Sequence, residues 1–172
     1  MRDALVTDLR LAGQHVTVLG DTRLNQNPIQ QHATCVSVCD TASFHVAFAR
    51  AVANVDLAWL IAPESGGAYQ QIARQAEAEV QLVSPSADFA SLAGHKQATS
   101  DFLIERGIAS PRGRTWSVGQ PIPDLKSPLV IKPNDGAGSQ GVQRLHHQDQ
   151  SGHEYNPLNV DAGAVYRVEE WI

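Results

Sequence analysis

The sequence predicts an α/β protein, with a parallel, helix-covered sheet over residues 1 to about 90 and a smaller α+β lobe after it. Three observations carry this expectation. Short apolar runs at residues 16–19, 34–38, 57–61 and 80–83 alternate with helical patterns, the alternation of a parallel sheet with helices on both faces. From Leu92 onward that alternation stops. Residues 129–145, LVIKPNDGAGSQGVQRL, then set an apolar strand, a glycine-rich loop and a second short extended run in succession, which reads as a β-hairpin.

The elements follow in order. Leu5, Leu9 and Ala12 share one helical face, and Gly13 stands where a helix stops. The strand at 16–19 runs into Gly20–Asp21, and the polar residues 22–33, with Asn25, Asn27 and Pro28, form a loop before the strand at 34–38. Phe44, Ala47, Phe48, Ala51 and Val52 mark the next helix, with Thr41 or Ser43 as its cap. Residues 57–61 are the most strand-like run of this half and lead into Ala62–Pro63–Glu64–Ser65–Gly66–Gly67. Glu64 at that strand end is either a ligand contact, as strand ends of open α/β sheets are, or a hydrated turn carboxylate. Ala68, Ile72, Ala73 and Ala76 define a further helix, followed by the strand at 80–83 and the turn Ser84–Pro85–Ser86. The sheet thus opens on a helix, so either its edge lies there or the natural chain begins upstream of Met1.

In the second half, Ala98, Thr99, Phe102 and Leu103 give a helix with Lys96 in its first turn and Gly107 at its end. A strand near Trp116 follows. Pro121, Pro123 and Pro128 stiffen the connector over 119–128. Beyond the hairpin lie the polar residues 146–159 and a last strand at 164–168. The sequence stops at Glu169–Glu170–Trp171–Ile172, inside an element still in progress.

The hairpin loop carries the chemistry. Gly136, Gly138 and Gly141 alternate with Ala137, Ser139 and Gln140, which leaves a backbone free to take positive φ and to be approached closely. Successive N–H groups in such a loop converge on an anion, commonly phosphate, and Lys132 adds a point charge at the end of the preceding strand. The spacing Gly136-x-Gly138-x-x-Gly141 matches the dinucleotide fingerprint, but that motif needs a helix starting at the loop. VQRLHHQDQSGHEYNP has no helical period, so the fingerprint fails on context. A kinase glycine loop precedes its lysine, whereas Lys132 comes first; a Walker loop would end in Gly-Lys-Ser/Thr, which is missing. The reading that survives is a hairpin tip over phosphates.

Composition narrows the partners. A net charge of −5 and a pI near 5.7, with 13 unclustered lysines and arginines, argue against nucleic acid or an anionic membrane as the partner. No apolar run approaches the roughly 20 residues of a bilayer span, and the chain reads as cytoplasmic. Cys35 and Cys39 suit neither zinc nor a redox pair and read as buried thiols. His146 and His147 are adjacent on an extended segment and point to opposite faces, so with His153 they read as no metal site.

These residues together resemble a family. The helix in GHKQATSDFLIERGIASP, the strand ending Ile131-Lys132-Pro133, the loop DGAGSQG and the strand ending VEEWI occur in this order in ATP-grasp enzymes. They are most similar to the ligases that include tyramine–glutamate ligase, where IKP-x-DGAGSQG and an upstream IAPE, residues 61–64 here, also occur. The resemblance covers nearly the whole chain. It implies a pre-ATP-grasp, Rossmann-like domain over 1–90 and the N-terminal α+β part of an ATP-grasp domain over 91–172, with the second lobe absent and both ends trimmed. It implies ATP as cofactor. Lys132 then reaches the α-phosphate and the adenine edge, and Lys96 contacts phosphate, although Gly94–His95 stand where the family has Ser-Asp. Gly136, Ala137, Gly138, Ser139, Gln140 and Gly141 close over the β- and γ-phosphates. Glu169 accepts from the adenine amino group, the backbone of Glu170 and Ile172 faces the remaining adenine edge, and Trp171 points away. The implied activity is that of a carboxylate–amine ligase, which makes an acyl-phosphate from a carboxylate and ATP and passes it to an amine. Mg²⁺ is expected only in the full-length protein, and this chain alone is expected to be inactive. The alternative is a non-catalytic nucleotide-binding or regulatory module of the same fold. The implied partners are ATP and a small carboxylate/amine pair, with no nucleic acid and no membrane; a homodimer is an option the reading leaves open.

Overall fold

The computed structural model of the chain describes residues 2–24, 32–126, 128–145, 161 and 163–172. It divides into two compact units, one of Met1–Ile61 with Ile72–Pro85 and one of Ala62–Gln71 with Ser86–Ile172.

The first unit is built of short parallel strand pairs and helices. α1 (Arg2–Leu11) buries Val6, while Ala12 is exposed. Gly13 at φ +80 ends the helix, and Gln14 N–H donates back to Leu9 O at 3.0 Å. β1 (Thr17–Asp21) pairs in parallel with β2 (Thr34–Val38), from Thr17↔Thr34 to Asp21↔Val38. α2 (Thr41–Val52) follows at once. Its cap is Asp40, not Thr41 or Ser43 as the sequence suggested. Asp40 has the extended conformation a cap requires, φ −153 and ψ 177, and Asp40 Oδ1 accepts from Ser43 N–H at 2.7 Å. Ser43 Oγ completes a capping box by accepting from Asp40 N–H at 3.1 Å. Cys39 is drawn into this turn, its N–H donating to Ser43 Oγ. Its thiol is therefore exposed, and Cys35 is only partly covered, so the expectation of two buried thiols does not hold.

β3 (Leu57–Ala58) and β4 (Gln81–Leu82) form a second parallel pair of two residues each, far shorter than the run 57–61 suggested. The ladder stops because Leu60 N–H turns to Ser84 Oγ at 2.7 Å. Leu57, Trp59 and Ile61 consequently stay about half exposed. The core of this unit is Phe48, Val52 and Ala76, with Leu19, Phe44, Ile72, Val80 and Leu82 packed on it. Ile72 and Ala76 come from α3 (Ala68–Glu77).

At the end of β1, the Asp21 carboxylate is held by the Arg23 guanidinium and backbone N–H, which lowers its pKa to about 2. A depressed carboxylate pKa contributes stability above the unfolded value of about 3.9, lost as pH falls toward the folded one. Thermal melting is expected to weaken as pH drops from about 4 to 2, and Asp21→Asn to remove part of that slope. An unchanged slope in the variant would show that the ion pair carries no stability.

In the second unit, Ala62–Gln71 are followed after the excursion through the first by α4 (Ala87–Ala93), an element the sequence reading did not anticipate. Ser86 Oγ caps it by accepting from Phe89 N–H at 3.2 Å. α5 (Lys96–Glu105) follows with His95 as cap, and ends where Gly107 takes φ +72 and Ile108 N–H returns to Leu103 O at 2.9 Å. Then comes a four-stranded antiparallel sheet in the order β5-β8-β6-β7, made of β5 (Gly113–Ser117), β6 (Leu129–Pro133), β7 (Gln143–Leu145) and β8 (Val165–Glu170). β6 and β7 are the two arms of the anticipated hairpin, Leu129 facing Leu145 and Ile131 facing Gln143.

Strand alternation separates the two faces of this sheet. Trp116, Leu129, Ile131, Tyr166 and Val168 make the core on one face, covered by Ile122 and Leu125 of the proline-rich connector. Ile131 and Val168 have no exposed surface, and each such burial stabilises by about 1.5–3 kcal/mol. The other face carries Lys132, Arg167 and Glu169. There β5 contributes Gly113, whose missing side chain matters. A Cβ would lie 2.6 Å from Val168 O, 2.7 Å from Glu169 Cβ and 2.9 Å from Arg167 Nη2. Gly113→Ala is expected to cost about 1–3 kcal/mol of stability through overpacking, measured by urea unfolding. An unchanged midpoint would mean that β5 can shift without penalty. No helix among the described residues is long and apolar enough to cross a membrane.

Candidate functional site

The site is assembled where β6 leaves the sheet. Asn134, only 3% exposed, locks the root of the glycine loop to the start of α5. Its carbonyl accepts from Lys96 N–H at 2.7 Å, its Oδ1 from Gln97 N–H at 3.0 Å, and its Nδ2 lies 2.8 Å from His95 Nε2. Asp135 adds a second tie, its Oδ2 accepting from Gly66 N–H at 3.0 Å. Lys96 Nζ donates to Asp135 O at 3.1 Å and to Gly136 O at 2.8 Å. Burial lowers the Lys96 pKa, the charge of Lys132 lowers it further, and Asp135 and Glu169 oppose both.

Beyond this root the backbone turns left-handed at Gly136, Gly138, Ser139 and Gly141, with φ of +78, +79, +58 and +69. Gly141 also packs on Pro133, whose Cγ would be 3.0 Å from an added Cβ. Ala137 to Gly141 are exposed.

Lys132 and Glu169 form the charged centre. Lys132 Nζ donates to Glu169 Oε1, and Arg167 Nε donates to Glu169 Oε2 at 2.7 Å. Arg167, 1% exposed, spends its other donors on Gln97 Oε1, Ser100 Oγ at 2.9 Å and Pro111 O at 2.9 Å. One carboxylate thus serves two cations, with Lys96 as a third cation close by.

A cavity of about 460 Å³ opens on this centre. Lys96, Lys132, Ala137, Gly138 and Ser139 line it together with Glu169, Glu170, Trp171 and Ile172, and Pro111, Val130 and Val142 complete its wall. Eight of the eleven residues singled out in the sequence therefore meet here; Gly136, Gln140 and Gly141 do not line it. Trp171 does, contrary to the expectation that it points away. It lies two residues beyond Glu169 and four beyond Arg167, so alternation puts all three on one face. Its N–H extends the ladder to Pro128 O at 2.9 Å, and Arg144 sits 5.3 Å over its ring. A larger cavity of about 660 Å³, between β2 and α2 in the first unit, holds none of the predicted residues.

Residues 14–88 match the family described as the pre ATP-grasp 3 domain. Over these residues the chain resembles a pre-ATP-grasp domain. Three solved structures extend the likeness. The L-amino acid ligase from Bacillus licheniformis aligns at a TM-score of 0.69 and 19% identity, over 99% of this chain and 41% of that one. N5-carboxyaminoimidazole ribonucleotide synthetase from Thermotoga maritima aligns at 0.67 and 18%, over 99% and 43%. Carboxyaminoimidazole ribonucleotide synthase from Aspergillus clavatus, complexed with ATP, aligns at 0.66 and 18%, over 99% and 44%. At these identities the likeness is one of fold, that of the N-terminal part of ATP-grasp ligases. The chain spans about two fifths of the length of these structures. No curated protein matches the sequence.

The pre-ATP-grasp match ends at residue 88, before α5 and the antiparallel sheet. Three residues of the charged centre escaped sequence reasoning. Arg167 was readable as an arginine flanked by Tyr166 and Val168 in an apolar strand; Gly113 and Asn134 carried no comparable signal. Glu64 is exposed and lines a small cavity of about 130 Å³ with Tyr69, Gln70, His95 and Asp135. Among the described residues no group of three His, Cys, Asp or Glu side chains could hold a metal ion; His146, His147 and His153 lie outside the described residues.

Proposed function

We propose that the cavity beside the glycine loop is a nucleotide site, and that the chain is the ATP-binding portion of an ATP-grasp carboxylate–amine ligase acting in the cytoplasm. The observation that carries the reading is that Lys96, Lys132 and the loop residues Ala137, Gly138 and Ser139 line one cavity together with Trp171 and Ile172. The cations and loop amides suit phosphates, and the apolar side chains suit a base. In this reading residues 1–90 are the pre-ATP-grasp domain and 91–172 the first part of the ATP-grasp domain.

The residues fit the group. Lys96 gives two donors to Asp135 O and Gly136 O, and an ammonium has three, so one remains for a phosphate oxygen. The left-handed turns at Gly136, Gly138 and Gly141 let loop N–H groups face an anion. β8 makes its rung to Arg112 through Glu170 N–H at 2.9 Å. The Glu170 carbonyl and Ile172 N–H are the backbone groups assigned to the adenine edge, with Glu169 toward the amino group. When bound, ATP with Mg²⁺ supplies the phosphoryl group that turns a carboxylate into an acyl-phosphate, the species an amine attacks. This chain's residues hold the triphosphate, screen its charge and orient it.

Calorimetry of the chain with ATP and Mg²⁺ tests the reading. The expected dissociation constant is about 0.1–1 mM, a binding free energy of roughly −4 to −5.5 kcal/mol. ATP should displace no heat beyond dilution if the reading is wrong. Binding without ligation of any carboxylate–amine pair is the result expected of this chain alone, and is also what the non-catalytic module predicts. Because an anion favours charged Lys96, affinity should fall as pH rises through its lowered pKa, with proton uptake detectable between buffers of different ionisation enthalpy.

A further inference from the structure

Glu169 is shared between two cations that differ in freedom. Arg167 is fully buried and hydrogen-bonded at every side reported above, with its guanidinium seated over Gly113. Lys132 is partly exposed, on the cavity wall, and makes one contact to Glu169 Oε1. If Lys132 were the sole counter-ion of this carboxylate, drawing its ammonium toward a bound anion would strand a nearly buried charge.

We propose that Arg167 is a positioning residue that makes Lys132 available to anionic ligands, by neutralising Glu169 when the lysine leaves it. The proposal rests on the reading of the cavity as a phosphate site. Arg167 touches neither ligand nor lysine; it acts through Glu169 Oε2. Its Nε–H keeps the carboxylate in place while the ammonium moves from Oε1 to a phosphate oxygen, an exchange that makes and breaks no covalent bond.

A mutant cycle in the whole chain tests this, using wild type, Arg167→Met, Glu169→Gln and the double variant, each checked for folding by circular dichroism. Two quantities are read: ATP affinity, and the rate at which limiting acetic anhydride labels Lys132 relative to Lys126 without ligand. Arg167→Met is expected to weaken ATP at least about tenfold and to slow Lys132 labelling about threefold or more, because the lysine becomes tied to a lone buried carboxylate. Glu169→Gln in that background is expected to restore Lys132 labelling, the readout that does not pass through the contact of Glu169 with the base. Recovery of stability alone would mark a merely structural role; recovery of Lys132 labelling in variants that are folded marks the role proposed here. Equal affinity and labelling in Arg167→Met and wild type, or a double variant whose Lys132 labels no faster than in Arg167→Met, would overturn the proposal. Should Arg167→Met fail to fold, the double variant is compared with Glu169→Gln alone: equal labelling supports the proposal and slower labelling overturns it. Absence of ATP binding by wild type would remove the nucleotide reading, and the labelling arm would then decide the role of Arg167 by itself.

Discussion

Arg167→Ala is expected to destabilise the second unit by about 3–5 kcal/mol, the range for removing one partner of a buried ion pair. The guanidinium satisfies Glu169 Oε2, Gln97 Oε1, Ser100 Oγ and Pro111 O at once. Alanine leaves these acceptors without their donor, and each buried unsatisfied group costs about 1–3 kcal/mol. It also opens a void between α5 and β5. Urea unfolding followed by tryptophan fluorescence measures the change, since Trp116 lies in the core on the opposite face. A loss below about 1 kcal/mol would mean that water replaces the guanidinium without penalty. Replacing Arg167 and Glu169 together by apolar residues should cost less than Arg167→Ala alone, since no charge is then stranded.

Lys132→Ala is expected to act on binding rather than folding. Glu169 keeps its Arg167 partner at 2.7 Å, so removal of the ammonium leaves no buried carboxylate alone. The lost contact is a hydrogen bond from a charged donor, about 1.5–3 kcal/mol, or roughly ten- to more than a hundredfold in affinity. From a starting value near the millimolar range that is abolition of measurable ATP binding, with an unaltered melting temperature. Lys96→Ala should differ, because Lys96 also braces Asp135 and Gly136 and its loss loosens the loop root as well. Undiminished ATP affinity in Lys132→Ala would displace the site from this cavity.

The parts legible in the sequence were those with a period or a fixed residue requirement. Apolar runs located β2 and β6 at their observed starts, and the three glycines marked the loop because positive φ there excludes most side chains. Lys132 was found from its place between a buried strand and that loop. Lengths set by a partner were not legible. β3 has two residues because Ser84 takes the Leu60 N–H, a contact 24 positions away. Asp40 was missed as a cap since Thr41 and Ser43 were equally good candidates by type. The orientation of Trp171 followed from continuation of the β8 ladder to Pro128 O, which extended the strand alternation past Glu170. Arg167 and Gly113 form a pair whose meaning appears only when β5 and β8 lie side by side, with Gly113 opposite Glu169.

The strand order β5-β8-β6-β7 also sets when this sheet can exist. β8 is the last of the described strands in the chain, yet it lies between β5 and β6, which do not pair with each other. During synthesis, β6 and β7 can close their hairpin as soon as residue 145 is free of the ribosome. β5, complete at Ser117, must wait until Val165–Glu170 emerge for its one neighbour among the described strands. Until then Gln97, Ser100 and the backbone around Pro111 have no guanidinium to bind, and the apolar side of Trp116 faces solvent. Such late, long-range pairing slows folding and leaves hydrophobic surface open to association. The second unit thus keeps apolar surface open until Val165–Glu170 arrives to close it between β5 and β6.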